Sequence, residues 1–378
     1  MSRRRVLVVG GGVGAVEALL ALRDLAPGAL DVTLLAPGPA LVLAPESVSE
    51  ATGGPPVRQF DLAAIAADLG AVHVRDTLDA VDVSEHRATT RGGTAVAYDA
   101  LLLALGALPG PTLPGALRFA GVRDVSVVRT ALERTVDVSR PTIALVATGA
   151  VGWTLPLYEL ATLIAARFEA QGRERSLIVV TSEAEPLSVF GRLASRAVAH
   201  HLVELGVHVR TATMAEGFEH GRLWLAAGGS IEADVVIALP EARGPNVPGL
   251  PADQSGFVPV DRFGRVSGAP SVWAVGDMTA RPLKQGGLAI QQADAAAQSI
   301  AAWAGAPVEP QPYEPVLRGL LLGDTPRFLR HSASSTVPST SSERPLWSLD
   351  AKIAGGRLEP YLHAHPELRL AKRASADA

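Results

Sequence analysis

Arg5-Val6-Leu7-Val8-Val9-Gly10-Gly11-Gly12-Val13-Gly14-Ala15-Val16-Glu17-Ala18-Leu19-Leu20 is the stretch from which the fold can be read. Its apolar opening, with Val6, Val8 and Val9, has the continuous hydrophobicity of a strand buried in a parallel sheet. The glycines follow at once, and beyond them Val13, Val16, Leu19, Leu20 and Leu22 recur at helical spacing. Set between a strand and a helix, a G-x-G-x-x-G/A pattern reads as a dinucleotide site. Gly10 allows the tight turn, Gly12 lets the backbone approach a pyrophosphate, and Ala15 permits close helix–strand packing. Gly11 and Gly14 complete the loop, and the positive helix end offers free N–H groups to the anion. Taken alone, the same glycines would also serve an ordinary strand–helix turn.

The totals narrow the choice. A chain of 378 residues exceeds one typical core, which predicts two or three domains. Hydrophobic residues make up 48% and aromatics only 4%, so the cores are to be built largely from alanine and aliphatic side chains. A net charge of −4 provides no basic field for nucleic acid. The absence of cysteine excludes disulfide scaffolds, thiolate metal sites and any redox-active dithiol. Met1-Ser2-Arg3-Arg4-Arg5 opens like a signal peptide, but the apolar run behind it is too short and breaks into glycines. Ala100–Leu105, an uninterrupted apolar run, falls far below a membrane span. A soluble, cytoplasmic protein without a transmembrane segment is the expectation.

Along the chain, the first helix should stop near Pro27-Gly28, and Asp31–Leu35 should form the second strand of a βαβ unit of about 30 residues. An acidic residue belongs at the end of that strand to hold an adenosine ribose, but the chain has Ala36-Pro37 there. Pro37–Pro56 reads as a long loop, Asp61–Leu69 as a short helix and Ala71–Asp82 as strand material. Arg91-Gly92-Gly93 suits a hairpin turn, and Tyr98–Gly106 a buried strand ending in glycine. A second alternating pattern follows, with strands at Thr142–Ala147, Ser176–Thr181 and Val207–Arg210 and helices at Leu155–Phe168 and Arg192–Leu205. A hairpin around Gly217–Gly229, a strand at Ala233–Leu239 and a crossover at Pro240–Pro251 come next. Ser271–Asp277 is a strand ending in Gly276-Asp277, and Gly286-Gly287 opens a helix through Ala302. Beyond Pro307 the chain is punctuated by proline and serine. Ser332–Ser342 reads as a flexible linker and Ala371–Ala378 as a frayed end.

Three separated signals therefore stand in order: the glycine turn, Tyr98-Asp99 running to Ala104-Leu105-Gly106, and Val275-Gly276-Asp277 before a glycine-opened helix. Over roughly residues 5–318 the set resembles the two-dinucleotide-domain flavoproteins of the pyridine nucleotide–disulfide reductase superfamily. Within it, the likeness is to the branch of sulfide:quinone oxidoreductases and type II NADH dehydrogenases. The resemblance implies an α/β fold of two Rossmann-like doubly wound domains, the second inserted in the first, plus a small C-terminal segment. Residues 1–107 and 240–318 would form the FAD-binding domain and 108–239 the NAD(P)-binding-like domain. Residues 319–378 would form a lid or interface segment with its linker at 332–342.

By the same resemblance, the pyrophosphate of FAD lies on the first glycine turn and the strand ending at Gly106 crosses between the domains. Asp277, after Gly276, meets a ribitol hydroxyl. Lys284, Gln285, Gly286 and Gly287 meet the O2/N1 edge of the flavin, where a cation and a positive helix end favour the anionic reduced ring. Read in isolation, Gly276-Asp277 would equally be a capped turn, and Lys284 a solvated surface lysine.

The pattern fails at the second cradle. Aligned on Glu159-Leu160-Ala161, which resembles the family's helical Glu-Leu-Ala, the three glycine positions become Gly152, Thr154 and Leu157, with Trp153 among them. Side chains there keep a pyrophosphate from the backbone, so NAD(P)H binding is doubtful, while Pro156 suits the first helical turn. Glu159, with Tyr158 and Trp153, is the candidate substrate pocket over the ring. Its alternative is two core aromatics and a solvated glutamate. Glu183 matches the ribose-binding acid of an NAD domain or else caps the Pro186 turn. His200-His201 lack partners at metal-ligand spacing and read as helix surface or packing residues, and no metal is expected.

Trp347–Leu362 resembles the tail of the same branch and, with few apolar residues, predicts a lid or dimer contact in place of a membrane anchor. The expected function is an FAD-dependent oxidoreductase with Glu159 and Lys284 as catalytic candidates. Small molecules would serve as donor and as quinone-like (or oxygen) acceptor. Sulfide and dithiol chemistry are excluded with cysteine. The alternatives are an NAD(P)H:quinone reductase with an altered cradle, and a non-catalytic flavin-binding or empty regulatory protein. Peripheral membrane contact and a homodimer stay open.

Overall fold

The structure, a computed structural model, describes residues 3–332, 339–348 and 352–371. β1 (Arg4–Val9) passes through the glycine turn into α1 (Val13–Leu25), and β2 (Leu30–Leu35) returns parallel to β1, with Val6 opposite Val32 and Val9 opposite Leu35. Both faces of β1 are covered, which is why its sequence does not alternate. Val6 and Val8 enter one core with α1, and Leu7 and Val9 enter another on the opposite face.

The stretch Pro37–Pro56 corrects the loop expectation. It holds β3 (Ala40–Val42) and α2 (Ser47–Ala51), and β3 pairs antiparallel with β4 (Gln59–Asp61). Burial decides this against the local prolines, because Leu41, Leu43, Val48 and Ala51 are core residues. The Asp61 carboxylate accepts from the N–H groups of Ala63 and Ala64 and so caps α3 (Leu62–Asp68). β5 (Val72–Val74) joins β2, and β6 (Leu78–Asp82), β7 (Arg87–Thr90) and β8 (Ala95–Ala97) form a meander that turns at Arg91-Gly92-Gly93. β9 (Ala100–Leu103) then runs beside β1.

The chain leaves through β10 (Leu108–Pro109) and builds a second sheet. Its elements are β11 (Leu117–Arg118), α4 (Val125–Arg134), β12 (Thr142–Ala147), α5 (Leu155–Ala170), β13 (Ser176–Thr181), α6 (Arg192–Glu204) and β14 (Val207–Arg210). A meander of β15 (Ala215–Glu219), β16 (Arg222–Leu225) and β17 (Ser230–Glu232) follows, then β18 (Val235–Ala238). The second sheet is parallel, in the order β11-β18-β12-β13-β14. β19 (Ala242–Arg243) pairs antiparallel with β10, so the chain enters and leaves this unit side by side.

β20 (Val272–Ala274) joins β9 and completes the first sheet in the order β20-β9-β1-β2-β5. α7 (Gly286–Trp303) lies along α1 in the same core. The serine-rich linker expected at Ser332–Ser342 is corrected at both ends, and residues 333–338 between them lie outside the described residues. β21 (Val316–Leu321), β22 (Arg327–Ser332) and β23 (Ser339–Ser342) make an antiparallel sheet, with Phe328 opposite Ser342 and His331 opposite Ser339. Composition favoured a loop, but pairing of the backbone to Phe328–His331 overrides it.

β21 also crosses the expected boundary after residue 318. Its free edge is held by glutamines of α7: Gln285 Nε2 donates to the Arg318 carbonyl at 2.7 Å, and Gln291 exchanges hydrogen bonds with the backbone of Val316. The Glu17 carboxylate of α1, fully buried, accepts the N–H groups of Arg357 and Leu358 at 2.8 Å and so caps α8 (Leu358–Ala364) from across the chain. Of the expected frayed end, residues 372–378 lie outside the described residues.

Candidate functional site

The glycine turn divides its labour. Gly10 sits at φ +126°, and a Cβ there would collide with the Ala104 carbonyl oxygen, so the residue is required by the backbone of the neighbouring strand. Gly11 faces Leu62 and Ala36, and Gly14 faces Val275 and Ala289, where small side chains let α1 and α7 approach. Ala15 is fully buried at the same contact. Gly12 is different: a Cβ added to it would meet no atom within 4 Å, and the same holds at Gly106. Gly12 is also the N-cap of α1, and no side chain caps that helix. An uncapped helix end with open space before it, at the carboxyl end of β1, is the shape of an anion cradle.

Two further stretches converge on that end of the sheet. The position of a Cβ on Gly286 lies 3.7 Å from Val13, so the amino end of α7 abuts the glycine turn. Gly276, at φ +75°, donates its N–H to Gln292 Oε1 at 2.9 Å and turns the chain after β20 so that Asp277 faces the start of α7. The Asp277 carboxyl is half-buried; burial pushes it up to about 6, opposed by the Lys284 charge and the Gln285 N–H. The Gln285 side chain is already used, accepting from the Leu288 N–H and donating to Arg318. The first-turn N–H groups of α7 are what this end can offer a ligand.

Lys284, expected at the O2/N1 edge of the ring, donates from its ammonium to the carbonyls of Thr279 and Arg281 at 2.6 and 2.7 Å and lies 3.6 Å over the Phe257 ring. Burial holds it down to about 8, against the raising effect of Asp277 and Asp253. Its charge reaches the site through Asp277.

In the second domain the corresponding loop lies against protein side chains. A Cβ at Gly152 would collide with the Lys284 side chain, and at Gly149 it would lie 2.9 Å from the Glu241 carboxylate. The Tyr158 hydroxyl, buried, donates to Glu183 Oε2 at 2.6 Å; burial raises the pKa of both groups, and the hydrogen bond from Tyr158 lowers that of Glu183 in part. Glu159 is 1% exposed and ion-paired with Lys352, with burial raising its carboxyl and the lysine lowering it.

Trp153 packs edge-on against Phe190 at 5.7 Å. The expected pocket of Trp153, Tyr158 and Glu159 is therefore not assembled: the two aromatics are packing residues, and Glu159 is neither solvated nor free. Lys352 and the Tyr158–Glu183 bond were not foreseen, and 193 residues separate Lys352 from its partner, beyond any local spacing signal. His201 is buried and His200 lies 3.2 Å from Glu204. Among the described residues no helix is long and apolar enough to cross a membrane.

Residues 4–299 match the family described as pyridine nucleotide-disulphide oxidoreductase. The chain belongs to that family. An NADH dehydrogenase-like protein of Mycobacterium tuberculosis is 28% identical over 234 residues, which cover 59% of this chain and 58% of that protein. The match thus spans less than two thirds of that relative's length. Among solved structures, the sulfide:quinone oxidoreductase of Aquifex aeolicus superposes with a TM-score of 0.81 at 19% identity, over 96% of this chain and 91% of that one. A ferredoxin reductase of Rhodopseudomonas palustris does so with a TM-score of 0.66 at 17% identity, over 88% and 83%. These likenesses establish the fold, a mixed α/β architecture with two Rossmann-like sheets. FAD is the cofactor of this family, and the open positions at Gly12 and Gly106 fit its pyrophosphate. At the second loop Gly149 and Gly152 lie against the side chains of Glu241 and Lys284, and Glu183 accepts from Tyr158.

Proposed function

We propose that this family member is an FAD-dependent oxidoreductase whose flavin is reduced by a small molecule other than a nicotinamide and reoxidised by a quinone-like acceptor or oxygen. One contrast supports the reading: the first turn has open space at Gly12 and Gly106, while the second loop packs against Lys284 and Glu241 and its acid, Glu183, is bonded by Tyr158. Bound FAD supplies a ring that takes up two electrons from one substrate and releases them to another.

The chain's own residues divide the remaining work. Gly12 and the amino end of α1 hold the pyrophosphate, and Gly106 gives it room beside β9. Asp277 accepts a hydroxyl of the ribitol chain. The amino end of α7, at Gln285 and Gly286, places a positive dipole where negative charge gathers, and Lys284 adds its cation through Asp277. Without cysteine, neither sulfide oxidation nor dithiol exchange is available.

A second reading, an NAD(P)H:quinone reductase with an altered cradle, draws on the likeness to the NADH dehydrogenase-like protein. One experiment separates the two. The purified yellow protein is mixed without air with NADH and then NADPH. Persistence of the visible flavin bands supports the first reading, and bleaching within seconds supports the second. Colourless protein that cannot be loaded with FAD defeats both and leaves a non-catalytic partner protein.

A further inference from the structure

The face of the C-terminal sheet that lies against Gly355 carries two opposed cations. Arg318 on β21 stands directly opposite Arg330 on β22 in the antiparallel register. Both are half-buried, and neither has a carboxylate partner among the described residues. Like charges directly opposed on a sheet are destabilising, and an incompletely solvated guanidinium makes the conflict worse. Burial and the Arg330 charge hold the Arg318 guanidinium below its usual range. Arg357, by contrast, is matched by Glu17, Asp24 and Asp294.

The surroundings admit the pair and do not neutralise it. Gly355, at φ +102°, presents bare backbone to Arg318; a Cβ there would fall 2.5 Å from its Nη1. Lys352, the other cation nearby, is spent on Glu159. Two residues along β22, Phe328 lies on the same face as Arg330 and packs edge-on against Trp347, 5.0 Å between ring centroids. Two planar donor forks on neighbouring strands, with no carboxylate between them, match the oxygens of an oxyanion. We propose that Arg318 and Arg330 form a binding site for a small-molecule oxyanion, a carboxylate or a phosphate ester, between β21 and β22.

The test uses the FAD-loaded full chain. Inorganic phosphate and benzoate are titrated calorimetrically against chloride at equal ionic strength, with the wild type, Arg330→Gln and Arg318→Gln. Saturable binding of either anion, weakened at least tenfold in both variants, is expected; which anion binds tells a phosphate ester from a carboxylate. Arg330→Gln without ligand should melt no lower than the wild type, because it removes a repulsion. Absence of binding by both anions, equal binding in the variants, or a lowered melting point of ligand-free Arg330→Gln would overturn the proposal. Flavin content, measured on the same samples, keeps a failure of the cofactor reading distinct from a failure of this one.

Discussion

The Tyr158 hydroxyl rests on the Glu183 carboxylate at 2.6 Å, so the acid that stands where an NAD domain would bind a ribose is satisfied from inside the protein. Tyr158→Phe removes that donor. Because Gly149 and Gly152 stay packed against Glu241 and Lys284, NADH should still fail to bleach the flavin in the variant. Leaving a buried carboxyl short of one partner should cost about 1–3 kcal/mol, read as a lower urea midpoint at unchanged slope. A gain of NADH reactivity would show that the hydroxyl alone blocks the second nucleotide.

Gly12→Val tests the cradle. The position is open, so the valine has room in the apo protein, but it occupies the approach of the pyrophosphate. The variant should purify with less than about a tenth of the wild-type flavin, which requires a loss of at least about 1.4 kcal/mol in binding, while its circular dichroism stays native. Full flavin content would place the cofactor elsewhere.

Asp277 predicts a pH dependence of the apo protein. Its carboxyl is raised from 3.8 to about 6 in the folded state. A raised acid binds its proton more tightly folded than unfolded, so its contribution is complete below the unfolded pKa and is lost as pH rises through the folded one. Stability should fall by on the order of 2 kcal/mol between about pH 4 and pH 6 on this account. Asp277→Asn should flatten that portion of a urea-midpoint profile, and an unchanged slope would assign it to another group.

The Glu159–Lys352 pair ties α5 to the C-terminal segment. Lys352→Met strands a buried carboxylate and should cost about 3–5 kcal/mol, whereas Glu159→Leu combined with Lys352→Met should recover most of it. A double-mutant cycle from chemical denaturation measures the coupling. Additive losses would mean that the two side chains are held independently.

Much of the fold was legible locally. β1, the glycine turn and α1 could be read because strand, turn and helix each leave a short periodic mark: branched residues, glycines, then apolar residues at 3.6 spacing. The Gly276-Asp277 turn and the glycine-opened α7 were legible for the same reason. α2, α4 and the C-terminal sheet were not. α2 lies between prolines, α4 has only three buried residues, and Ser339–Ser342 has the composition of a linker.

The amino-acid order by itself determined two parallel sheets, the first cofactor cradle and the loss of the second one's glycines, because backbone conformation at glycine and hydrophobic period are local properties. Which charge meets which was decided only in three dimensions. Lys352 reaches Glu159 across 193 residues, Tyr158 closes on Glu183, and Lys284 turns to backbone carbonyls. Those pairings follow from burial, where an unpaired polar group is costly and the nearest partner is set by packing, not by spacing along the chain.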